Sequence, residues 1–173
     1  MTEELFRTNS YLKACEAKVV AIYKTGVELD RTVFYSTGGG QPGDQGILRL
    51  CNGQNIEIVN CYSDRETGRH LHIPSETAVL LSTGDAVTAE INWERRYRLM
   101  RMHTCLHLLC ALIEGGVTGG QVGEWKSRID FDLPDTSLEK EQLTSGLNRL
   151  IEENHPVSHS SITDAELAVK QEQ

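Results

Sequence analysis

The chain has 173 residues, room for one ordinary domain or two small packed ones. Its 39% hydrophobic and 24% charged residues exclude a disordered chain, and no run approaches the roughly 18 apolar residues of a transmembrane helix. A formal net charge of −8 argues against a general nucleic-acid binder, although a local basic patch can act inside an acidic whole.

Residues 1–20 lack the basic start and apolar core of a signal peptide, so a cytosolic chain is expected. The five cysteines, at 15, 51, 61, 105 and 110, form no Cys-x-x-Cys pair and read as free thiols. Cys51 and Cys61 fall in strand-like runs, where a small apolar packing role is expected.

The chain up to about residue 91 reads as β. Runs 19–23 and 27–29 flank Lys24-Thr25-Gly26, a hairpin connection, and 32–35 is a short β-branched and aromatic run. Runs 47–51 and 56–62 flank a turn holding Asn52-Gly53, a strong hairpin signal. Further short strands are expected at 70–73, 78–81 and 87–91. Many short strands at close spacing predict a small barrel or rolled sheet.

At Asn92 the character changes. Residues 93–114 contain no Gly or Pro, and Gly115-Gly116 follows as a stop. Leu99, Met102, Leu106, Leu109 and Ile113 recur at helical spacing and predict one buried stripe. Residues 128–132 alternate like a strand. Thr136 and Glu139 have the spacing of a capping box, opening a second helix through residue 153 with Leu143, Leu147, Leu150 and Ile151 on one face. Residues 157–162 read as a strand, and Thr163 with Glu166 repeats the capping spacing for a short final helix. The organisation is α+β: a β-barrel-like domain over 1–91, then an α+β domain over 92–173.

Two motifs carry chemistry. His103 and His107 lie four apart on the expected helix, about 40° apart around its axis, so two imidazoles can converge on one ion. Hydrogen bonds to backbone or carboxylates would satisfy them equally well, and both readings stand at this point. Thr104 occupies the place of the glutamate in an HExxH protease motif, which removes that alternative. The second motif is the run 38–46, GGGQPGDQG, whose five glycines permit positive φ and close approach to a ligand. It lacks the Lys-Ser/Thr ending of a phosphate loop, and a purely structural tight turn is its other reading.

The runs 30–46, DRTVFYSTGGGQPGDQG, and 95–109, RRYRLMRMHTCLHLL, taken in this order, closely resemble the alanyl-tRNA editing family of free-standing proteins and synthetase editing domains. The resemblance spans nearly the whole chain. It implies a β-barrel-like N-terminal part packed on an α+β part similar to the editing domains of threonyl- and alanyl-tRNA synthetases. It implies zinc-dependent, ATP-independent hydrolysis of serine, or glycine, from mischarged tRNA(Ala). His103 and His107 match the first pair of zinc ligands. Gly39, Gly40 and Gln41 match the wall of the aminoacyl pocket, and Thr32 matches the threonine associated with recognising the serine hydroxyl. Ser36 departs from the proline common after the Phe-Tyr pair, which loosens the loop locally. The basic cluster Arg95, Arg96, Arg98 and Arg101 offers candidate tRNA phosphate contacts, above all Arg95 and Arg98; a solvated charged face is the competing reading.

The metal set departs from the family, which completes its zinc site with a Cys-x-x-x-His beyond the last helix. No cysteine follows Cys110, so a fragment or shortened form of an editing protein is expected. His155 and His159, about 13 Å apart on a strand, cannot both reach one ion. Two histidines alone hold zinc weakly. Two alternatives therefore stand beside the editing hydrolase: a catalytically weak aminoacyl-tRNA-binding module, and a metal-dependent aminoacyl-ester hydrolase without tRNA specificity. Neither a membrane nor DNA is an expected partner.

Overall fold

The computed structural model describes residues 1–75, 81–134, 138–158, 162–164 and 166. It divides into two compact units, Met1–Thr136 and Ser137–Gln173, rather than at residue 91. Among the described residues no helix is long and apolar enough to cross a membrane.

The first unit holds a closed six-stranded barrel. Its strands are β2 (Ala14–Tyr23), β3 (Gly26–Leu29), β5 (Gly46–Leu50), β6 (Asn55–Ser63), β7 (His70–Pro74) and β8 (Ala86–Ile91), in the order β2-β3-β7-β6-β5-β8. Every neighbouring pair is antiparallel. Closure leaves no free sheet edge, and alternate residues turn inward to fill the lumen. Val19, Val27, Leu29, Leu48, Ile58, Cys61, Val87 and Ala89 supply that core, joined by Val33 and Phe34. The small barrel expected from the strand spacing is therefore present.

Local departures have local causes. The run expected at 32–35 is a strand only over Arg31–Thr32 (β4), pairing in parallel with β1 (Glu3–Glu4). After Thr32 the chain turns into the barrel mouth, because Val33 and Phe34 are drawn into the core. Most of the run expected at 78–81 lies outside the described residues, as do Thr136, residues 159–161 and His159. Val157 and Ser158 are irregular. Thr163 and Glu166 do cap reciprocally: Thr163 N–H donates to Glu166 Oε2 at 2.7 Å and Glu166 N–H to Thr163 Oγ1 at 3.3 Å.

Helix α1 runs Trp93–Cys110, capped by Asn92, whose Oδ1 accepts the Arg95 N–H at 3.1 Å. It ends four residues short of the expected limit. Ala111 closes the last turn, and the glycines beyond begin β9 (Gly116–Gln121), antiparallel to β10 (Arg128–Asp132). Leu99 and Ile113 of the expected stripe are buried, but so are Arg95 and Arg96.

In the second unit, α2 (Lys140–Glu153) starts from Glu139 with no side-chain cap and ends at Asn154 in the left-handed conformation, φ 49°. Leu143, Leu147 and Leu150 are half-buried along one face, while Ile151 is exposed.

Candidate functional site

The glycine loop is pinned to the start of α1 by one buried ion pair. Both carboxylate oxygens of Asp44 accept from Arg96 Nε at 2.9 Å, and the Arg96 Nη2 donor also reaches Asp44. Arg96 further donates to the Val33 carbonyl at 2.8 Å, and Asp44 Oδ2 accepts the Tyr35 N–H at 2.7 Å. A buried pair is worth its desolvation only when the remaining donors and acceptors are met, as they are here. Arg95 adds a second strut, donating to the Gly43 carbonyl and to Glu124 Oε1, both at 2.8 Å.

Within the loop, Gly38 and Gln41 exchange backbone hydrogen bonds of 3.1 and 2.9 Å around Gly39 and Gly40. Those two glycines take φ of +55° and +75°, which glycine alone adopts without strain. The Tyr35 hydroxyl donates to the Gly38 carbonyl at 2.9 Å, and the Gly40 carbonyl accepts the Val122 N–H at 2.8 Å. The loop is thus held from the barrel, from α1 and from the end of β9.

That framework delivers Gln41 to His103. Gln41 is buried, and its Oε1 accepts from His103 Nδ1 at 3.0 Å. A side-chain carbonyl can only accept, so Nδ1 carries the proton and Nε2 keeps its lone pair. His107 stacks on His103 with ring centres 5.1 Å apart and planes 15° from parallel. Burial, and then the neighbouring His107, push the His103 pKa down, favouring the neutral ring that a cation needs. Gly39 faces the same ring: a Cβ there would lie 3.8 Å from His103 Cε1. The main-chain N–H groups of Gly39 and Gly40 donate to no protein acceptor among the described residues, and both glycines are exposed.

Not every expected site residue joins this cluster. Thr32 is 0% exposed; its hydroxyl lies 2.8 Å from His72 Nε2 and accepts the Phe34 N–H at 3.0 Å. It is therefore buried against His72 of β7 and makes no hydrogen bond to Gln41 or His103. Arg95 is largely buried, with Nε donating to Glu124 and Nη1 to Gly43. Arg98 is half-buried, its guanidinium 4.7 Å from the centre of the Trp125 ring and its Nη2 3.7 Å from Glu124 Oε2, and Arg101 lies over Tyr97. Arg96, expected in the basic cluster, and Asp44 of the glycine loop instead meet each other, and with Tyr35, which the sequence does not point to, they hold the loop. Nor does the sequence point to the group Cys61, His70 and His72, although His-x-His in a strand places both rings on one face.

The tRNA synthetases class II (A) family model matches residues 5–95. Alanyl-tRNA editing protein AlaX-M of Methanosarcina acetivorans is 40% identical over 91% of this chain and 68% of its own length. The protein of that name from Pyrococcus horikoshii is 36% identical, over 91% of this chain and 73% of its own. An alanine–tRNA ligase of Saccharolobus islandicus is 33% identical over 98% of this chain, which spans 20% of that enzyme. With the barrel, the glycine loop and the histidine helix arranged as described, these matches lead to one conclusion: the chain belongs to the alanyl-tRNA editing protein family.

Proposed function

We propose that this chain hydrolyses the ester joining a wrong amino acid, serine or glycine, to tRNA(Ala). The observation that carries the reading is the Gln41–His103 contact, which sets an oriented imidazole pair against an exposed loop with two unspent N–H donors. Family membership supplies the substrate class; the names of the relatives support alanyl-tRNA as the partner.

The donor chemistry suits zinc. His103 has its Nδ1–H anchored by Gln41 and offers Nε2, and His107 lies one turn on; this oriented arrangement is usual for metal-bound histidine. Among the described residues no third His, Cys, Asp or Glu joins the pair at ligand distance. The pair would hold zinc as part of a larger donor set, and the ion when bound supplies Lewis-acid polarisation of the ester carbonyl. The chain's own groups do the rest. Gln41 fixes the His103 tautomer, the Gly39 and Gly40 N–H groups meet the developing oxyanion, and Tyr35 holds the Gly38 carbonyl so that those donors stay aimed outward. Thr32 contributes by shaping the barrel-side wall through His72. Of the arginines, half-buried Arg98, shared with Glu124, is the phosphate contact, and Arg95 acts as the strut behind it.

The test is release of serine from Ser-tRNA(Ala) by the chain supplied with zinc, compared with His103→Ala and His107→Ala. Ester loss above background, at least tenfold lower in either variant, supports the reading. An ester that stays intact, or is protected, at saturating zinc overturns it in favour of a binding module. Hydrolysis of small aminoacyl esters that uncharged tRNA does not inhibit overturns the tRNA requirement.

A further inference from the structure

A second cluster of soft donors lies inside the barrel, built by strand register. Cys61 of β6 faces His72 of β7 as a direct cross-strand partner, and His70 sits two residues earlier on β7, on the same inward face. All three are buried, at 0%, 0% and 2% exposure. Cys61 Sγ and one nitrogen from each ring lie within 4.8 Å of one another.

The hydrogen bonds around the rings decide which atoms are free. His72 Nδ1 lies 3.0 Å from the Val27 carbonyl, which can only accept, so Nδ1 carries the proton. His70 Nδ1 lies 3.2 Å from Glu4 Oε1, which assigns its proton in the same way. Each ring therefore keeps its lone pair on Nε2. On His72 that atom meets only the Thr32 hydroxyl, at 2.8 Å. On His70 it is buried and has no hydrogen-bond partner at all among the described residues. A buried acceptor without a partner is rare in folded proteins and asks for a ligand. Anchoring one imidazole to a carboxylate and the other to a backbone carbonyl is the arrangement that orients histidine toward a metal.

We propose that Cys61, His70 and His72 form a site for a soft divalent cation of the zinc class inside the barrel, separate from the histidine pair on α1. Ligand atoms bound at about 2.0–2.3 Å around a tetrahedral ion stand roughly 3.3–3.8 Å apart, so the cluster closes by up to about 1.5 Å. On binding, the Cys61 thiol proton leaves to solvent and a thiolate–metal bond forms; no electron is transferred. The Thr32 hydroxyl gives up its bond to His72 Nε2 as the ion enters. The thiolate takes up one unit of the dication's charge, and the Glu4 carboxylate behind His70, shared with Arg7, faces the site. The role is structural: the ion ties β6 to β7 and, through Glu4, ties both to the N-terminal strand.

The barrel is closed, so the ion loads during folding, and the full chain is refolded from urea with cobalt(II) present. A thiolate-to-cobalt charge-transfer band in the near ultraviolet, equivalent to one bound ion, is expected in a His103→Ala/His107→Ala variant. Cys61→Ser and His70→Gln, each made in that background, abolish the band. If both fail to fold, a variant with Cys15, Cys51, Cys105 and Cys110 all replaced by Ser leaves Cys61 as the sole thiol and still shows the band. Absence of the band in that chain overturns the site. So does a band that survives Cys61→Ser, since it would belong to another cysteine.

Discussion

Asp44 is the residue on which the loop depends. Its carboxylate meets Arg96 and the Tyr35 N–H in a space where neither charge is exposed. Asp44→Ala leaves a buried guanidinium unpaired and is expected to cost about 3–5 kcal/mol in urea denaturation, with Arg95–Gly43 left as the side-chain tie between loop and α1. A smaller mutation separates holding from chemistry. Gln41→Ala keeps the loop's backbone bonds but frees the His103 ring, so deacylation is expected to fall roughly ten- to a hundredfold while the melting temperature changes little. A lowered melting temperature with an unchanged rate would reverse those roles. Neither Asp44 nor its partner announces itself in the sequence. An acid inside a glycine-rich run and one arginine among four look like solvated charges until the helix is laid against the loop.

The elements differ in how their sequences speak. Helix α1 was legible from its apolar spacing and the lack of Gly and Pro, and the histidines follow from 3.6-residue periodicity. Strand β9, Gly-Val-Thr-Gly-Gly-Gln, was not, because its residues neither alternate nor favour extended structure; pairing with β10 makes it a strand. The glycine loop packs closely against it. A Cβ on Gly40 would stand 2.8 Å from the Gly120 carbonyl, at a φ of +75°, so Gly40→Ala is expected to cost about 1–2 kcal/mol from backbone conformation alone and to separate the loop from β9. Thermal unfolding monitored by circular dichroism measures that loss. The β6–β7 turn carries a pH-dependent contribution. Asp64 Oδ1 accepts the N–H groups of Glu66 and Thr67 at 2.9 and 3.3 Å, and the Glu66 bond foremost holds its pKa below the usual carboxylate range. A depressed carboxylate pKa stabilises the fold above the unfolded value of about 3.9 and loses that contribution as pH falls through the folded one. Asp64→Ala is therefore expected to be less stable than the parent at pH 7, the gap narrowing as pH drops below about 4.

At the scale of the molecule, the division into compact units is itself testable. Helix α1 and the β9–β10 hairpin share the unit of the barrel, bound by the Arg96–Asp44 and Arg95–Gly43 connections. A chain ending at residue 136 is expected to keep a cooperative thermal transition close to that of the full chain. A non-cooperative melt would show that the unit needs residues 137–173. Strand spacing and a switch of periodicity at Asn92 suggested a boundary near 91, but periodicity reports the type of an element and not what it packs against.

Sequence by itself determined the barrel, the long helix and the placing of two imidazoles on one helical face, since alternation, turn residues and helical spacing are local properties of the chain. It also carried the family likeness, through the ordered runs 30–46 and 95–109. Only the tertiary structure decided that Arg95 and Arg96 turn inward, that Gln41 grips His103, that Thr32 spends its hydroxyl on His72, and that Cys61 meets two histidines in the lumen. Each of these joins residues far apart in the chain, and their meeting depends on strand register and barrel closure, which no short window of residues encodes.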